Sequence, residues 1–280
     1  MPELPEVESV RRGLNKKIIG KTIDHVQVTW PRIINHPEGL SQWQALLEGQ
    51  TVQAIDRRGK YLLLELTNWT LVSHLRMEGK YLFGQDLRAF QANKHVHVIF
   101  CFTDGTYLAY QDVRKFGRME LIAPDQKEAY FKAKKLGPEP TQSDFDLSSF
   151  KQALAKSRKK IKPALLDQHL VAGLGNIYVD EALYQARIHP ARLANSLKED
   201  EVATLRLAII DILSRATQAG GSTIRTYLNA LGEAGNYQES LKVYDQAGQA
   251  CPRCQTPIEK IKLAGRGTHF CPNCQRLEEE

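Results

Sequence analysis

The sequence predicts an α+β protein: an N-terminal β-sandwich with an N-terminal helix, a helical helix-two-turn-helix domain, and a C-terminal four-cysteine zinc β-hairpin. Three observations predict it. Apolar residues alternate with a period of two over residues 21–121 and then recur at helical spacing as far as Gly220. Gly173 and Gly175 break one of the helical stretches into two. Four of the five cysteines fall in the last thirty residues as two tight pairs.

At the start of the chain, Val7, Val10, Leu14 and Ile18 lie on one helical face, with Glu6 in the first turn and Gly20 as the stop. TIDHVQVTW, YLLLELT and WTLVSHL follow as strands, and HVHVIFCF-TDG-TYLAY reads as a hairpin turning at Asp104-Gly105. Residues 136–144, LGPEPTQSD, are Pro-rich and polar and mark a boundary between domains. Residues 165–183, LLDQHLVAGLGNIYVDEAL, predict two helices joined by a tight double turn at the glycines. Val202, Leu205, Ile209, Ile212, Leu213 and Ala216 form an amphipathic stripe closed by Gly220-Gly221. Residues 220–237 are rich in glycine and small polar side chains and predict a long loop. The predicted domains are 1–135, 136–240 and 241–280.

With 38 Lys and Arg against 32 Asp and Glu, the net charge is +6, which favours a polyanionic partner. No apolar run approaches the roughly 20 residues that span a bilayer, and the acidic start MPELPEVE lacks the layout of a secretory signal, so a cytoplasmic location is expected. Paired cysteines in that compartment indicate metal rather than disulfides. Cys251-Pro-Arg-Cys254 and Cys271-Pro-Asn-Cys274 have the spacing of a tetrahedral zinc site, whose four thiolates leave no open position for chemistry. Cys101, in VIFCF, reads as a buried apolar residue.

Between the cysteine pairs a hairpin is expected, with Gly265-Arg266-Gly267 at its tip: a solvated turn arginine or a cation held out to phosphate. Asn176 after the double glycine is positioned as a helix cap beside backbone amides that suit a DNA phosphate, or belongs to an internally packed joint. Lys156, Arg158, Lys159, Lys160 and Lys162 supply positive charge nearby, either as a DNA-binding run or as a solvated face. Removal of Met1 would leave Pro2 as a secondary amine that is partly unprotonated near neutral pH, a usable nucleophile flanked by Glu3 and Glu6.

MPELPEVE, SHLRMEGKY, DVRKFG, LGPEP, LLDQ…VAGLGNIYVDEAL and IEKIKLAGRGTHFCPNCQ, in that order, together resemble the formamidopyrimidine-DNA glycosylases over essentially the whole chain. The resemblance implies a bifunctional DNA glycosylase and abasic-site lyase, with Pro2 as Schiff-base nucleophile, Glu3 as general acid/base and Glu6 as a supporting carboxylate. It implies that Lys60 binds phosphate and assists β-elimination, that Arg266 serves δ-elimination, and that Asn176 binds phosphate, with His95 and Arg114 as further DNA contacts. Met77, Arg114 and Phe116 match a trio that fills the gap left by a flipped nucleotide, and residues 220–237 match a lesion-recognition loop that includes Ser222, Thr223, Arg225 and Tyr227. The implied substrate is duplex DNA carrying 8-oxoguanine or formamidopyrimidines, handled by a bacterial monomer with one structural zinc and no nucleotide, redox or magnesium cofactor. Two alternatives stand beside it: an endonuclease VIII-like enzyme for oxidised pyrimidines, against which PELPEV and the long loop count, and a non-catalytic zinc DNA-binding protein.

Overall fold

The computed structural model describes residues 1–222 and 235–277. Contacts divide the chain into two compact units, Met1–Lys134 with Gly220–Gly235 and Lys135–Ala219 with Asn236–Glu280.

The first unit begins with α1 (Leu4–Ile18), whose predicted stripe Val7, Val10, Leu14 and Ile18 is buried. Gly20 ends it with φ +79° and donates its N–H to the Val52 carbonyl at 2.8 Å. Then come β1 (Ile23–Val28), α2 (Gly39–Leu47), β2 (Val52–Arg58), β3 (Tyr61–Leu66), β4 (Thr70–His74), β5 (Lys80–Gly84), α3 (Leu87–Ala92), β6 (Val96–Phe102), β7 (Tyr107–Gln111), β8 (Arg118–Ile122) and α4 (Lys127–Ala133). They form two antiparallel four-stranded sheets, ordered β1-β6-β7-β5 and β2-β3-β4-β8. One apolar core joins them, with Val26, Phe100 and Leu108 from the first sheet meeting Ile55, Leu64 and Leu71 from the second and the stripe of α1. The hairpin expected around Asp104-Gly105 is present, with Cys101 paired to Tyr107. Cys101 is buried, which pushes its thiol up to about 11 and fits the apolar role expected of it.

The second unit holds α5 (Leu147–Ala155), α6 (Ile161–Leu166), α7 (Asn176–Gln185), α8 (Glu199–Gln218) and a hairpin of β9 (Glu259–Leu263) and β10 (Arg266–Phe270). Gly173, with φ +97°, takes the left-handed turn between α6 and α7 that its lack of a Cβ permits. All six residues of the predicted stripe are buried on α8. The cysteine segment clusters with the helices in this unit, whereas Gly220, Gly221, Ser222 and Gly235 group with the first unit. In that group the Ser222 N–H donates to Glu6 Oε1 at 2.7 Å across 216 positions of sequence. Among the described residues no helix is long and apolar enough to cross a membrane.

Candidate functional site

The first unit gathers its predicted site residues at one end. α1 runs antiparallel to β2: Gly20 bonds Val52, Arg11 donates to the Ile55 carbonyl at 3.1 Å, and Arg57 reaches Glu8 at 3.3 Å. Residues nearer the start of α1 thus meet residues of β2 nearer the Gly59-Lys60 turn, so the N-terminal end of the helix points along β2 towards that turn. Pro2 and Lys60 are both buried. Glu3 and Glu6 are only 2% and 3% exposed. Glu6 bridges two backbones, its Oε2 accepting the Glu3 N–H at 2.8 Å and its Oε1 the Ser222 N–H at 2.7 Å. Gly221 makes this possible twice over: it has φ +84°, and a Cβ there would lie 2.6 Å from Glu6 Oε1.

Strand register places two loops at the same end. β4 ends at His74 opposite Arg118, the first residue of β8, and β5 starts at Lys80 opposite Gln111, the last of β7. Tyr61, beside the Lys60 turn, is paired to His74, and Val96, beside His95, is paired to Gln111. The loop carrying Met77 and the loop carrying Arg114 and Phe116 therefore emerge side by side. Met77 and His95 are half-buried, Arg114 is exposed, and Phe116 is 47% exposed with the Arg114 guanidinium 4.8 Å from its ring centre. A large aromatic held out in water without a core partner is available for stacking. Asp112, which sequence reasoning missed, organises this loop. Its fully buried carboxylate accepts the N–H groups of Arg114 at 3.0 Å, Phe116 at 2.8 Å and Gly117 at 2.8 Å, holding Lys115 at φ +59°. The available signal was an Asp heading a short polar turn.

In the second unit, the hairpin turns at Ala264-Gly265, both with positive φ, and Arg266 is the exposed first residue of β10 rather than the centre of the tip. The two-residue turn needs left-handed backbone at both central positions, which moves the turn one place upstream. Gly175 rather than Asn176 caps α7, and Asn176 begins the helix. The Asn176 amide donates to the Gly267 carbonyl at 2.9 Å, next to Arg266. Lys162 requires a correction. It is not part of a solvated basic face: it is 1% exposed, paired to Asp180 at 2.7 Å, and donates to the same Gly267 carbonyl at 2.9 Å. A buried ammonium so engaged props the hairpin from beneath instead of meeting a phosphate. Asp180 also accepts the His269 N–H at 2.9 Å. Its neighbour Glu181 accepts the N–H groups of Lys242, Val243 and Tyr244 at 3.0, 2.9 and 2.9 Å, fastening α7 to the cysteine segment. Neither carboxylate was singled out from the sequence, because a DE pair on a helix ordinarily faces water.

The four cysteine sulfurs of Cys251, Cys254, Cys271 and Cys274 all lie within 4.8 Å of one another, with separations of 3.4, 3.5 and 3.9 Å among them. A tetrahedral zinc with Zn–S near 2.3 Å requires sulfurs about 3.8 Å apart, so the donor set fits one structural zinc. Burial and the neighbouring sulfurs push the Cys274 thiol up, the mark of thiols crowded on one centre, where a bound cation would favour their ionised form. Thr223, Arg225 and Tyr227 lie outside the described residues, and of the predicted loop set Ser222 alone is placed.

Comparison with known proteins matches the chain in three successive segments. Residues 1–119 match the formamidopyrimidine-DNA glycosylase N-terminal domain, 136–228 the H2TH domain of the same proteins, and 248–277 a zinc finger found in FPG and IleRS. The chain is 60% identical over 278 residues to a formamidopyrimidine-DNA glycosylase of Enterococcus faecalis, covering 99% of this chain and 98% of that protein. It is 56% identical to one of Streptococcus pneumoniae, covering 99% and 100%. Among solved structures it is similar to a mutant Lactococcus lactis FPG in complex with a Fapy-dG containing DNA, at TM-score 0.94 and 52% identity over 99% of this chain and 100% of that one. A complex between Lactococcus lactis Fpg and an abasic site containing DNA gives TM-score 0.93 at 52% identity, covering 98% and 100%.

Proposed function

The chain belongs to the formamidopyrimidine-DNA glycosylase family, and from that premise we propose that it excises oxidised purines, 8-oxoguanine and formamidopyrimidines, from duplex DNA and then cuts the strand at the resulting abasic site through a Schiff base on Pro2. The observation that supports this best is a buried Pro2-Glu3 terminus in the same unit whose strand ends place the Lys60 turn beside the loops of Met77, Arg114 and Phe116. A binding protein has no use for a carboxylate pair and an amine buried behind a removable methionine.

Removal of Met1 frees the Pro2 amine, whose nitrogen lone pair attacks the sugar C1′ as the bond to the damaged base breaks; the base leaves with the bonding pair and takes up a proton, and the new C1′–N bond gives up the amine's own proton. Glu3, at the sugar, gives a proton to the ring oxygen, the ring opens, and C1′ is held as an iminium ion. Loss of a 2′ proton into this electron sink breaks the C3′–O3′ bond, and a second elimination breaks C5′–O5′. Hydrolysis of the iminium returns the Pro2 amine. Lys60 and Arg266 are cations suited to the phosphates that leave, Lys60 from the first unit and Arg266 from its zinc-braced hairpin. Asn176 and His95 are proposed to grip the backbone, and Arg114 with Phe116 and Met77 to fill the vacated stack, Arg114 reading the orphaned base and Phe116 wedging between its neighbours. Zinc holds the hairpin together and takes no part in the chemistry. We place the protein in the bacterial cytoplasm with the nucleoid, acting as a monomer.

Borohydride reduction during turnover of an 8-oxoguanine duplex tests the assignment. A covalent adduct on Pro2, with Met1 absent from the peptide, is the expected result, and retaining Met1 by mutation of the start should abolish it. Pro2→Gly should keep some trapping, since a primary amine also forms an imine. An adduct mapped to Lys60 would overturn the nucleophile, and tight lesion binding without any adduct would overturn the activity.

A further inference from the structure

The Met77 loop and the Arg114–Phe116 loop return to their strands through Gly79 and Gly117. A Cβ on Gly79 would fall 2.2 Å from the Tyr110 hydroxyl oxygen, and one on Gly117 would fall 1.8 Å from that same oxygen. Neither glycine has a positive φ, so it is space alone that excludes a side chain there. Both loop backbones are thus packed against a single atom of β7. Each loop is closed by its own bonds, Gly79 N–H to the Leu75 carbonyl at 3.0 Å and Gly117 N–H to Asp112 at 2.8 Å. The Tyr110 hydroxyl is where the two meet. The ring has no freedom to swing aside: it is 0% exposed, and Tyr81 stands edge-on at 5.3 Å with its own hydroxyl donated to Ser73 at 2.7 Å.

We propose that Tyr110 is a positioning residue for the reaction: its hydroxyl is the spacer that sets the distance between the Met77 loop and the Arg114–Phe116 loop, and through it the discrimination of the base opposite the lesion. The inference rests on these three side chains filling the gap left by the flipped nucleotide. Tyr110→Phe deletes one oxygen from between two glycines. The small void costs little stability, but it lets the loops move relative to each other, and a displacement of a fraction of an ångström matters where geometry sets the rate.

The test compares wild type, Tyr110→Phe and Arg114→Ala for excision of 8-oxoguanine opposite each of the four bases. It also follows the fluorescence of 2-aminopurine placed opposite an abasic-site analogue in duplex DNA at saturating protein. Tyr110→Phe is expected to bind undamaged duplex as wild type does and to unfold within a few degrees of it, while losing about tenfold in its preference for cytosine over adenine opposite the lesion. Its 2-aminopurine signal should move part of the way towards that of Arg114→Ala. Gly117→Ala, which pushes the loop off the same hydroxyl, should show the same loss, and the double variant less than the sum of the two. If Tyr110→Phe keeps wild-type preference and signal while Arg114→Ala loses both, the spacer is overturned and the gap-filling trio stands. If Arg114→Ala also changes neither, the trio itself is overturned and the spacer with it.

Discussion

His74 closes β4 with its ring edge-on to Tyr61 at 4.5 Å and its Nδ1 accepting the Arg76 N–H at 3.0 Å. Burial, with the Arg76 and Lys60 charges beside it, holds the imidazole neutral down to about 3. In the unfolded chain it titrates near 6.5, so the folded state binds its proton less readily than the unfolded one. The stability this contributes is complete above pH about 6.5 and declines as pH falls towards 3, by at most about 1.4 kcal/mol per unit. Unfolding midpoints measured between about pH 7 and pH 4 should therefore fall less steeply for His74→Gln than for wild type. Lys162 makes a second prediction at this scale. Lys162→Met strands the buried Asp180 carboxylate and should cost about 3–5 kcal/mol in urea unfolding, whereas adding Asp180→Leu should recover part of that loss, because the unpaired charge is then gone. Equal stability of the single and double variants would mean that the stranded carboxylate is not the source of the loss.

At the scale of the element, the N-terminal helix and the base of the 220–237 loop are joined by one carboxylate. Gly221→Ala places a Cβ 2.6 Å from Glu6 Oε1 on a backbone at φ +84°, so either the loop base or Glu6 must move. Base excision should drop about tenfold to a hundredfold, with less effect on cutting a pre-formed abasic site, where no base needs to be held. Single-turnover rates on the two substrates separate these, and an equal loss on both would place the damage at Pro2-Glu3 instead. The β9–β10 hairpin offers the opposite case, a substitution that stabilises. Ala264 sits at φ +47° ahead of Gly265 at +77°, a turn that favours Asn-Gly. Ala264→Asn should raise the unfolding midpoint by about 1–3 °C by relieving left-handed backbone at a residue with a Cβ.

For the whole molecule, the cysteine quartet lies at the base of the hairpin that carries Arg266, the residue proposed above to meet a phosphate. Chelation, or Cys251→Ser, should weaken binding to lesion duplex and reduce the salt dependence of that binding by about one phosphate contact, as the Arg266 hairpin loses its frame. Anisotropy titrations at several salt concentrations measure both, and demetallated protein with unchanged affinity and salt slope would remove the hairpin from the DNA-binding surface.

The sequence by itself determined what depends on local spacing: the buried face of α1, the stripe of α8, the hairpin at Asp104-Gly105, the cysteine quartet, and the ordered motifs that identify the family. Apart from the order of the motifs, each is a period or a spacing within a short stretch of chain, and the physics that reads it acts over the same stretch. The tertiary structure alone decided that Lys162 is interior, that Asp112 gathers three backbone N–H groups, that Gly221 and Ser222 dock on Glu6, and that one tyrosine hydroxyl separates two loops. A lysine in a basic run and a glycine after a loop look the same in sequence whether they face solvent or a partner. Lys162 meets Gly267 across 105 positions and Glu6 meets Ser222 across 216, and a buried polar group takes its role from whatever the fold brings to it over such separations, since it must be paired there or forfeit its hydration.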